Sequence, residues 1–407
     1  MSALTHGSLW QWKRLRVELL LALFVIVLAG PVVHEYRAQQ ASRYVLTAAM
    51  WDHGTIRIDR YAAVDPPVLG IDRAVRDGHT YSDKAPLQPV LAIPFYALYR
   101  VAGGEPATEA RYDEHLGLWW VTLWMATIPA AALAVLTYRL TRRFAPEPSL
   151  RATVAMFLGS ILFPFSMLLF GHVMGALLLF SAFALLAGDP HSTGRLVAAG
   201  MFAGAAVAAE YTAAVGVIVL MGYAGWRLRG RVGWFLLGGL PAAAGLAWYH
   251  WAAFGTPLTH PYRFSAFNDV TTEARGFFDI FSGLRAQHLV DLFFDGRGFL
   301  MASPIVILGL SGLVMIMRRG SSHEVRAVAI TSLVMFGAFL LIPVFWANPW
   351  GGDSPGPRYM LPAFAFLAIG VAAAWQRIAL WARAATAYSV LVMAAASFTD
   401  PLLSDEA

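Results

Sequence analysis

Residues 17–34 read VELLLALFVIVLAGPVVH, an apolar run that contains one charged residue, Glu18. Lys13, Arg14 and Arg16 stand directly before it, and a polar stretch follows it. A helix needs roughly 17–25 mostly apolar residues to cross a bilayer, so this run predicts a membrane span. Because no clear small-residue cleavage site follows, we expect a retained first span and not a removed signal peptide.

The rest of the chain repeats this pattern. Of its 407 residues, 58% are hydrophobic and only 14% are charged, against about 45–50% and about 25% in soluble domains. No water-soluble core can absorb these long apolar runs, so we predict an all-α polytopic membrane protein, a single bundle over 1–407. The eleven predicted spans are 17–34, 116–138, 152–169, 171–187, 196–209, 211–226, 232–252, 304–317, 326–346, 359–375 and 384–398.

Basic residues cluster in the short connections. With eleven spans, every cluster falls on the N-terminal side of the membrane, as the positive-inside rule expects of cytoplasmic loops. The net charge of +5 is explained by these loops, so we expect no nucleic-acid partner. We predict a plasma or inner membrane protein with a cytoplasmic N-terminus and three extracytoplasmic segments, 35–115, 253–303 and 347–358.

The first of these segments has internal order. Residues 40–51 (QASRYVLTAAMW) show mixed apolar and polar residues at helical spacing, which predicts a helix lying along the membrane interface. Residues 87–102 are apolar and aromatic but are broken by Pro89 and Pro94. They predict a second interfacial or re-entrant helix, because they are too short for a span.

The densest polar constellation lies between these helices, in Asp72–Pro89 (DRAVRDGHTYSDKAPLQP). Lys84 is the only lysine besides Lys13 in a chain that otherwise uses arginine. A compact ammonium at this place suits a phosphate ligand; the alternative is a lysine that snorkels to the headgroup level. Asp77-Gly78 is typical of a turn.

The order of the motifs resembles the GT-C superfamily of membrane glycosyltransferases, which includes protein O-mannosyltransferases and lipid A aminoarabinose transferases. An apolar span is followed by a helix, an HG-x-hydrophobic-x-hydrophobic-D motif, YSDKAP and an aromatic helix. The matching stretches are SRYVLTAAMWDHGTIRID (42–59), YSDKAPLQPVLAIPFYAL (81–98), GHVMGALLLFSAFALL (171–186), AFGTPLTHPYRF (253–264), DGRGFLMASPIVIL (295–308) and GGDSPGPRYMLPAFAF (351–366).

The resemblance implies transfer of a sugar from a polyprenyl-phosphate donor to an extracytoplasmic lipid, glycan or protein acceptor, with inversion at the anomeric carbon. It puts Lys84 on the donor phosphate, which a cation stabilises as charge develops. It also implies an acidic base in the first outer loop. Relatives carry Asp-Glu shortly before the tyrosine that matches Tyr44, whereas this chain has Gln39, Gln40 and Ala41 there. An amide cannot serve as a general base.

Other carboxylates are therefore the candidate catalytic bases. We rank Asp72 first, followed by Asp59 and Asp83, with Glu35 behind them. Each has a structural alternative: Asp59 caps a turn, or Asp83 only pairs with Lys84.

Further candidates lie in the other outer segments. Arg358, fixed between prolines at the edge of a span, and Arg297, between two glycines, suit a phosphate contact; each is equally typical of an anchor or a turn. We place Tyr81, His79, His172 and Trp350 along the substrate groove. Glu210, between two apolar runs, is a functional candidate if it lies at membrane depth; we prefer to interpret it as a solvated loop residue.

Three functions remain open from the sequence: a glycosyltransferase, a transporter or flippase of lipid-linked glycans, and a catalytically inactive homologue that binds such a glycan. Transporters commonly show repeated halves and polar midplane residues. This chain shows no repeat and gathers its polar residues in loops, which favours the enzyme. No histidine spacing indicates a metal site, so we expect no protein-held cofactor, although a divalent metal remains possible.

Overall fold

The computed structural model describes residues 3–34, 37–62, 72–107, 116–188, 192–266, 283–318 and 322–402. The described chain is a helical bundle with one β-hairpin, which confirms the predicted all-α membrane class apart from the hairpin. Its elements are α1 (Ala3–Ala29), α2 (Ala38–His53), α3 (Asp59–Ala62), β1 (Arg73–Arg76), β2 (His79–Ser82), α4 (Leu87–Val101), α5 (Leu116–Phe144), α6 (Ser149–Leu158), α7 (Leu162–Phe165), α8 (Gly171–Leu186), α9 (Thr193–Ala209), α10 (Ala213–Leu228), α11 (Val232–Phe254), α12 (Ala286–Phe294), α13 (Pro304–Arg318), α14 (His323–Phe345), α15 (Leu361–Arg377) and α16 (Ala379–Phe398).

Within the described chain, five helices are long and apolar enough to cross a membrane. They are α5, α11, α14, α15 with its leading turn from Arg358, and α16. Five further apolar helices, including α8, α9 and α13, have 10–17 residues. The helices predicted around residues 40–51 and 87–102 are both present, as α2 and α4.

Small residues bring neighbouring helices into close contact. A Cβ placed on Gly200 of α9 would overlap the Phe235 carbonyl oxygen of α11, and one on Gly238 would overlap the Val197 carbonyl oxygen. Gly312 and Gly370 allow the same close approach between α13 and α15. Lipid offers helices no hydrophobic drive to associate, so backbone contact through glycines is an effective way to pack them.

The predicted span 152–169 is wrong as one helix. α6 ends at Leu158, and the chain continues through the short helix α7 and an irregular stretch to Gly171. Such backbone is tolerated in a membrane protein only when the protein itself supplies hydrogen bonds. Thr127 donates to the Ser166 carbonyl, and Gln88 donates to the Phe170 carbonyl at 3.1 Å.

Helix α2 is enclosed by the protein over most of its length. Every residue from Gln40 to Ala49 is buried, so the expected polar outer face is absent from this part of the helix. Its polar side chains bond inside the protein: Thr47 donates to the Pro89 carbonyl, and the Ser42 hydroxyl meets the Ser82 hydroxyl at 2.7 Å. These contacts enclose α2 within the protein, and its position along the membrane interface stays a prediction.

Several basic helix ends lie at one end of the bundle. Arg139 of α5 pairs with Glu18 of α1. Arg227 of α10 donates to the Gly188 carbonyl just after α8, and Arg231 donates to Thr193 at the start of α9. These contacts bring basic residues of α5 and α10 close to the neighbouring helix ends, and the side of the membrane on which they lie stays a prediction.

Candidate functional site

A β-hairpin brings the polar constellation together. β1 and β2 pair antiparallel with Arg73 opposite Ser82, and the two turn residues, Asp77 and Gly78, both have positive φ angles. This is the geometry that Asp-Gly favours in a two-residue hairpin, so the predicted turn is confirmed. Because Arg73 faces Ser82, the residues just outside the hairpin, Asp72 and Asp83, meet at its open end.

Lys84 lies between these two carboxylates. Its Nζ is 3.0 Å from Asp72 Oδ1 and 3.1 Å from Asp83 Oδ1. Lys84 and Asp83 are almost fully buried, whereas the Asp72 side chain keeps 18% of its surface exposed. Of the two carboxylates, Asp72 is therefore the one that a ligand can reach.

Burial and charge act against each other in this cluster. Burial lowers the pKa of the Lys84 ammonium, but the Asp72 and Asp83 carboxylates outweigh it and raise that pKa above its ordinary value. Burial raises the pKa of the Asp83 carboxyl to about 6, against the attraction of Lys84. Lys84 thus stays charged, and the Asp83 carboxyl takes up a proton at a higher pH than an ordinary aspartate does.

The cluster faces a cavity of about 310 Å³, the size of a small-ligand pocket. Arg358, in the turn that precedes α15, also lines this cavity. Arg358 is only 7% exposed, and its Nε has no hydrogen-bond partner. Among the described residues no carboxylate pairs with this guanidinium; it lies 5.5 Å from the ring centres of Phe170 and Tyr359.

Aromatic rings form much of the remaining wall. Phe170, Tyr262, Trp346 and Tyr359 all line the cavity. Lys84 Nζ lies 5.4 Å from the Tyr262 ring centre, a cation–π distance. Such walls exclude water, and charged groups then interact more strongly than they would in solvent.

A second polar cluster lies beside the cavity. Glu210 Oε2 is 3.4 Å from Arg43 Nη2 and 3.2 Å from His172 Nδ1, and all three side chains are buried. The sequence-based interpretation of Glu210 as a solvated loop residue is therefore wrong. The break between α9 and α10 turns its carboxylate inward, where Arg43 of α2 compensates its charge.

The glutamines that stand where relatives have acids are structural. Gln39 Oε1 accepts a hydrogen bond of 2.9 Å from Arg43, and Gln40 Oε1 accepts one from the Leu169 amide at 3.1 Å. Gln40 thereby satisfies the irregular backbone before α8. Gln39 lines the cavity, but an amide oxygen cannot act as a general base at neutral pH.

Four of the sequence candidates line the cavity: Asp72, Asp83, Lys84 and Arg358. The others are elsewhere. Asp59 bonds the Thr80 amide and lies 3.0 Å from His79, so this pair fastens the hairpin. Tyr81 packs on Phe254, and Arg297 stacks over Trp350 at 4.9 Å. His172 is buried with Glu210, and Glu35 lies outside the described residues.

Sequence reasoning missed several lining residues, including Arg37, Tyr262, Asn348 and Asp353. These residues lie in the three segments predicted to be extracytoplasmic, 35–115, 253–303 and 347–358, but no local motif identified their side chains. The described residues contain no cluster of three or more His, Cys, Asp or Glu able to hold a metal ion.

Comparison with solved structures identifies the fold. ArnT from Cupriavidus metallidurans bound to undecaprenyl phosphate superposes with a TM-score of 0.56 and 15% identity, covering 95% of this chain and 63% of its own. The Archaeoglobus fulgidus oligosaccharyltransferase in complex with Zn and sulfate gives 0.56 and 15%, covering 94% and 52%. No protein-family model matches the sequence, and no curated protein matches it significantly.

Both solved structures are GT-C membrane glycosyltransferases. The chain therefore has the GT-C fold, and the resemblance drawn from its motifs is confirmed at the level of the fold. It spans about 63% of the length of ArnT and about half that of the oligosaccharyltransferase.

Proposed function

We propose that this protein is an inverting glycosyltransferase that takes a sugar from a polyprenyl-phosphate carrier. The observation that carries the proposal is one cavity lined both by an accessible carboxylate, Asp72, and by a cation without an ion-pair partner in the described chain, Arg358. Glycosyl transfer from a phosphate needs both: a base for the acceptor and a positive charge for the leaving group.

In the proposed reaction, Asp72 accepts the proton of an acceptor hydroxyl. The hydroxyl oxygen attacks the anomeric carbon of the donor as the bond from that carbon to the phosphate oxygen breaks. The polyprenyl phosphate leaves as an anion, and the sugar is inverted at the anomeric carbon. Asp72 then returns the proton to solvent.

Arg358 is the primary phosphate ligand in this scheme. Its guanidinium offers planar paired donors for phosphate oxygens, and it has no ion pair within the described chain that a ligand would have to displace. Lys84 is already held by two carboxylates. We assign Lys84 mainly to orienting Asp72, with a phosphate contact as its second role once a donor enters.

The fold supports a lipid-linked donor, because the ArnT structure is described as bound to undecaprenyl phosphate. The acceptor is taken to be an extracytoplasmic lipid, glycan or protein hydroxyl. The aromatic rings that line the cavity suit a sugar, because the apolar faces of a sugar stack on such rings.

Binding of undecaprenyl phosphate to the full chain in nanodiscs tests the phosphate assignment. Arg358→Ala should weaken binding about ten- to hundredfold, the loss of a hydrogen bond to a charged group. Arg297→Ala is the control, since that guanidinium stacks on Trp350 outside the cavity lining. Equal affinities for both variants and the parent protein would reject the assignment.

Transfer itself is tested with a labelled polyprenyl-phosphate sugar and membranes of a strain that lacks this chain as the acceptor source. The purified protein should move label into a new product. Binding of the carrier without any transfer would instead support the catalytically inactive alternative and overturn the enzyme proposal.

A further inference from the structure

A second cavity lies at the other end of the bundle. It has a volume of about 560 Å³ and is walled by α5, α8 and α9. Helix α8 connects the two cavities: Phe170, just before its first residue, lines the candidate active site, and Leu185, near its last residue, lines the second cavity. Phe170 and Leu185 are 15 positions apart, which corresponds to about 22 Å along a helix.

Three arginines and an apolar wall form this second cavity. Arg139 and Arg143 are one helical turn apart on α5, so they lie on the same face, and Arg195 enters from the first turn of α9. The rest of the lining is mostly aliphatic and aromatic. It consists of Leu136, Leu140, Ser181, Ala184, Leu185, Gly188 and Phe202.

Only one of the three arginines of this cavity has an ion-pair partner in the described chain. Glu18 pairs with Arg139. Among the residues that the structure covers, no carboxylate forms an ion pair with Arg143 or Arg195, and both side chains are exposed. At least two positive charges therefore stand beside apolar surface at the end of the membrane bundle that carries the basic loops.

We propose that this cavity binds an anionic phospholipid, with its phosphate between Arg143 and Arg195 and its acyl chains along Leu136, Leu140 and Phe202. Basic pockets between transmembrane helices, at the level of the headgroups, bind anionic lipids through this combination of charge and apolar surface. A soluble anion would use only the arginines and would leave the apolar wall uncovered. The lipid occupies a site distinct from the candidate active site.

Native mass spectrometry and lipid titration of the full chain in neutral detergent test this proposal. The probes are phosphatidylglycerol, phosphatidylcholine and inorganic phosphate. Phosphatidylglycerol should bind in preference to phosphatidylcholine. Arg143→Ala and Arg195→Ala should each weaken its binding about fivefold, and the double variant about 25-fold, from the usual contribution of a basic residue near an anionic lipid.

Arg142→Ala is the matched control, because Arg142 is on the same helix, faces the Tyr138 ring and does not line the cavity. Its affinity for phosphatidylglycerol should equal that of the parent protein. Equal losses in the control and the double variant would overturn the site, because they would reflect general charge. Competition by millimolar phosphate as effective as by the lipid would overturn the lipid assignment.

Discussion

Asp72 Oδ1 lies 3.0 Å from Lys84 Nζ although twelve positions separate the two residues. The contact exists because the β1–β2 hairpin closes between them, with Arg73 paired to Ser82. Tyr249 of α11 donates to the Ser82 carbonyl, and Ser42 of α2 meets the Ser82 hydroxyl, so the open end of the hairpin is fixed to two helices. The geometry of the site therefore depends on the hairpin.

Asp72→Asn should lower transfer about 10²- to 10⁴-fold, the usual loss on removing a general base. The amide is of equal size and keeps an oxygen acceptor for Lys84, so the fold should persist. Sugar transfer from a labelled polyprenyl-phosphate donor, measured in nanodiscs, checks the result.

Asp59→Asn is the control for that experiment. Asp59 also sits beside the hairpin, but its oxygens bond Thr80 and His79 outside the cavity. Its variant should retain most of the activity. Similar losses in both variants would contradict the assignment of Asp72 as the base and point to a general sensitivity of the hairpin.

Lys84→Ala should destabilise the protein by roughly 3–5 kcal/mol, because it leaves the buried Asp83 carboxylate without its partner. Adding Asp83→Asn removes that charge and should recover part of the loss. Thermal unfolding in detergent, compared across the two single variants and the double variant, measures this coupling. Strictly additive losses would show that the ion pair makes no net contribution.

The pH dependence of stability should report Asp83. Its pKa is raised from an ordinary value of 3.8 to about 6 in the folded protein, so the folded state holds a proton that the unfolded state has released. Unfolding then releases protons between about pH 4 and pH 6, and stability falls as the pH rises through this window. Unfolding midpoints measured across that window check the sign.

Asp83→Asn removes the titrating group and should flatten this part of the profile. Asp72→Asn is the companion control because it changes the neighbouring carboxylate and leaves Asp83 able to titrate. A profile of unchanged slope in Asp83→Asn would mean that another group is responsible.

The membrane class, most helix positions and the GT-C fold could be predicted because they depend on long apolar runs and ordered motifs. The break at 159–170 could not, because the apolar residues continue through it while the hydrogen bonds of Gln40, Gln88 and Thr127 support an irregular backbone. These donors and acceptors come from distant parts of the chain. Only the tertiary structure brings them to this segment.

The part of the candidate site that depends on local sequence could be predicted, and the part that depends on distant contacts could not. Asp72, Asp83 and Lys84 are close in sequence around a hairpin signal, so their meeting follows from local chemistry. The burial of Glu210 depends on a contact with Arg43, which is 167 positions away in the chain. No local sequence pattern distinguishes a carboxylate that is buried in this way from a solvated one.

The buried ion pair between Arg43 and Glu210 should contribute far more to stability than an exposed ion pair does. Glu210→Ala leaves Arg43, 2% exposed, with an uncompensated charge and should cost roughly 3–5 kcal/mol. Asp400→Asn breaks the pair between Arg37 and Asp400, whose side chains are 37% and 47% exposed, and should cost about 1 kcal/mol or less. Unfolding midpoints in one detergent give the comparison. Equal shifts would show that Glu210 is not held as a buried charge.

The close contact between Gly200 of α9 and the backbone of α11 predicts that a larger residue at position 200 destabilises the protein. Gly200→Ala places a methyl group against the Phe235 carbonyl of α11 and should force α9 and α11 apart, at a cost of roughly 1–3 kcal/mol. Gly245→Ala is the matched control: it lies in α11 with no heavy atom within 4 Å of the added carbon. It should leave stability unchanged or raise it by up to about 1 kcal/mol, because alanine favours helix. If Gly200→Ala melted at or above the temperature of Gly245→Ala, then glycine contact would not be what joins these two helices.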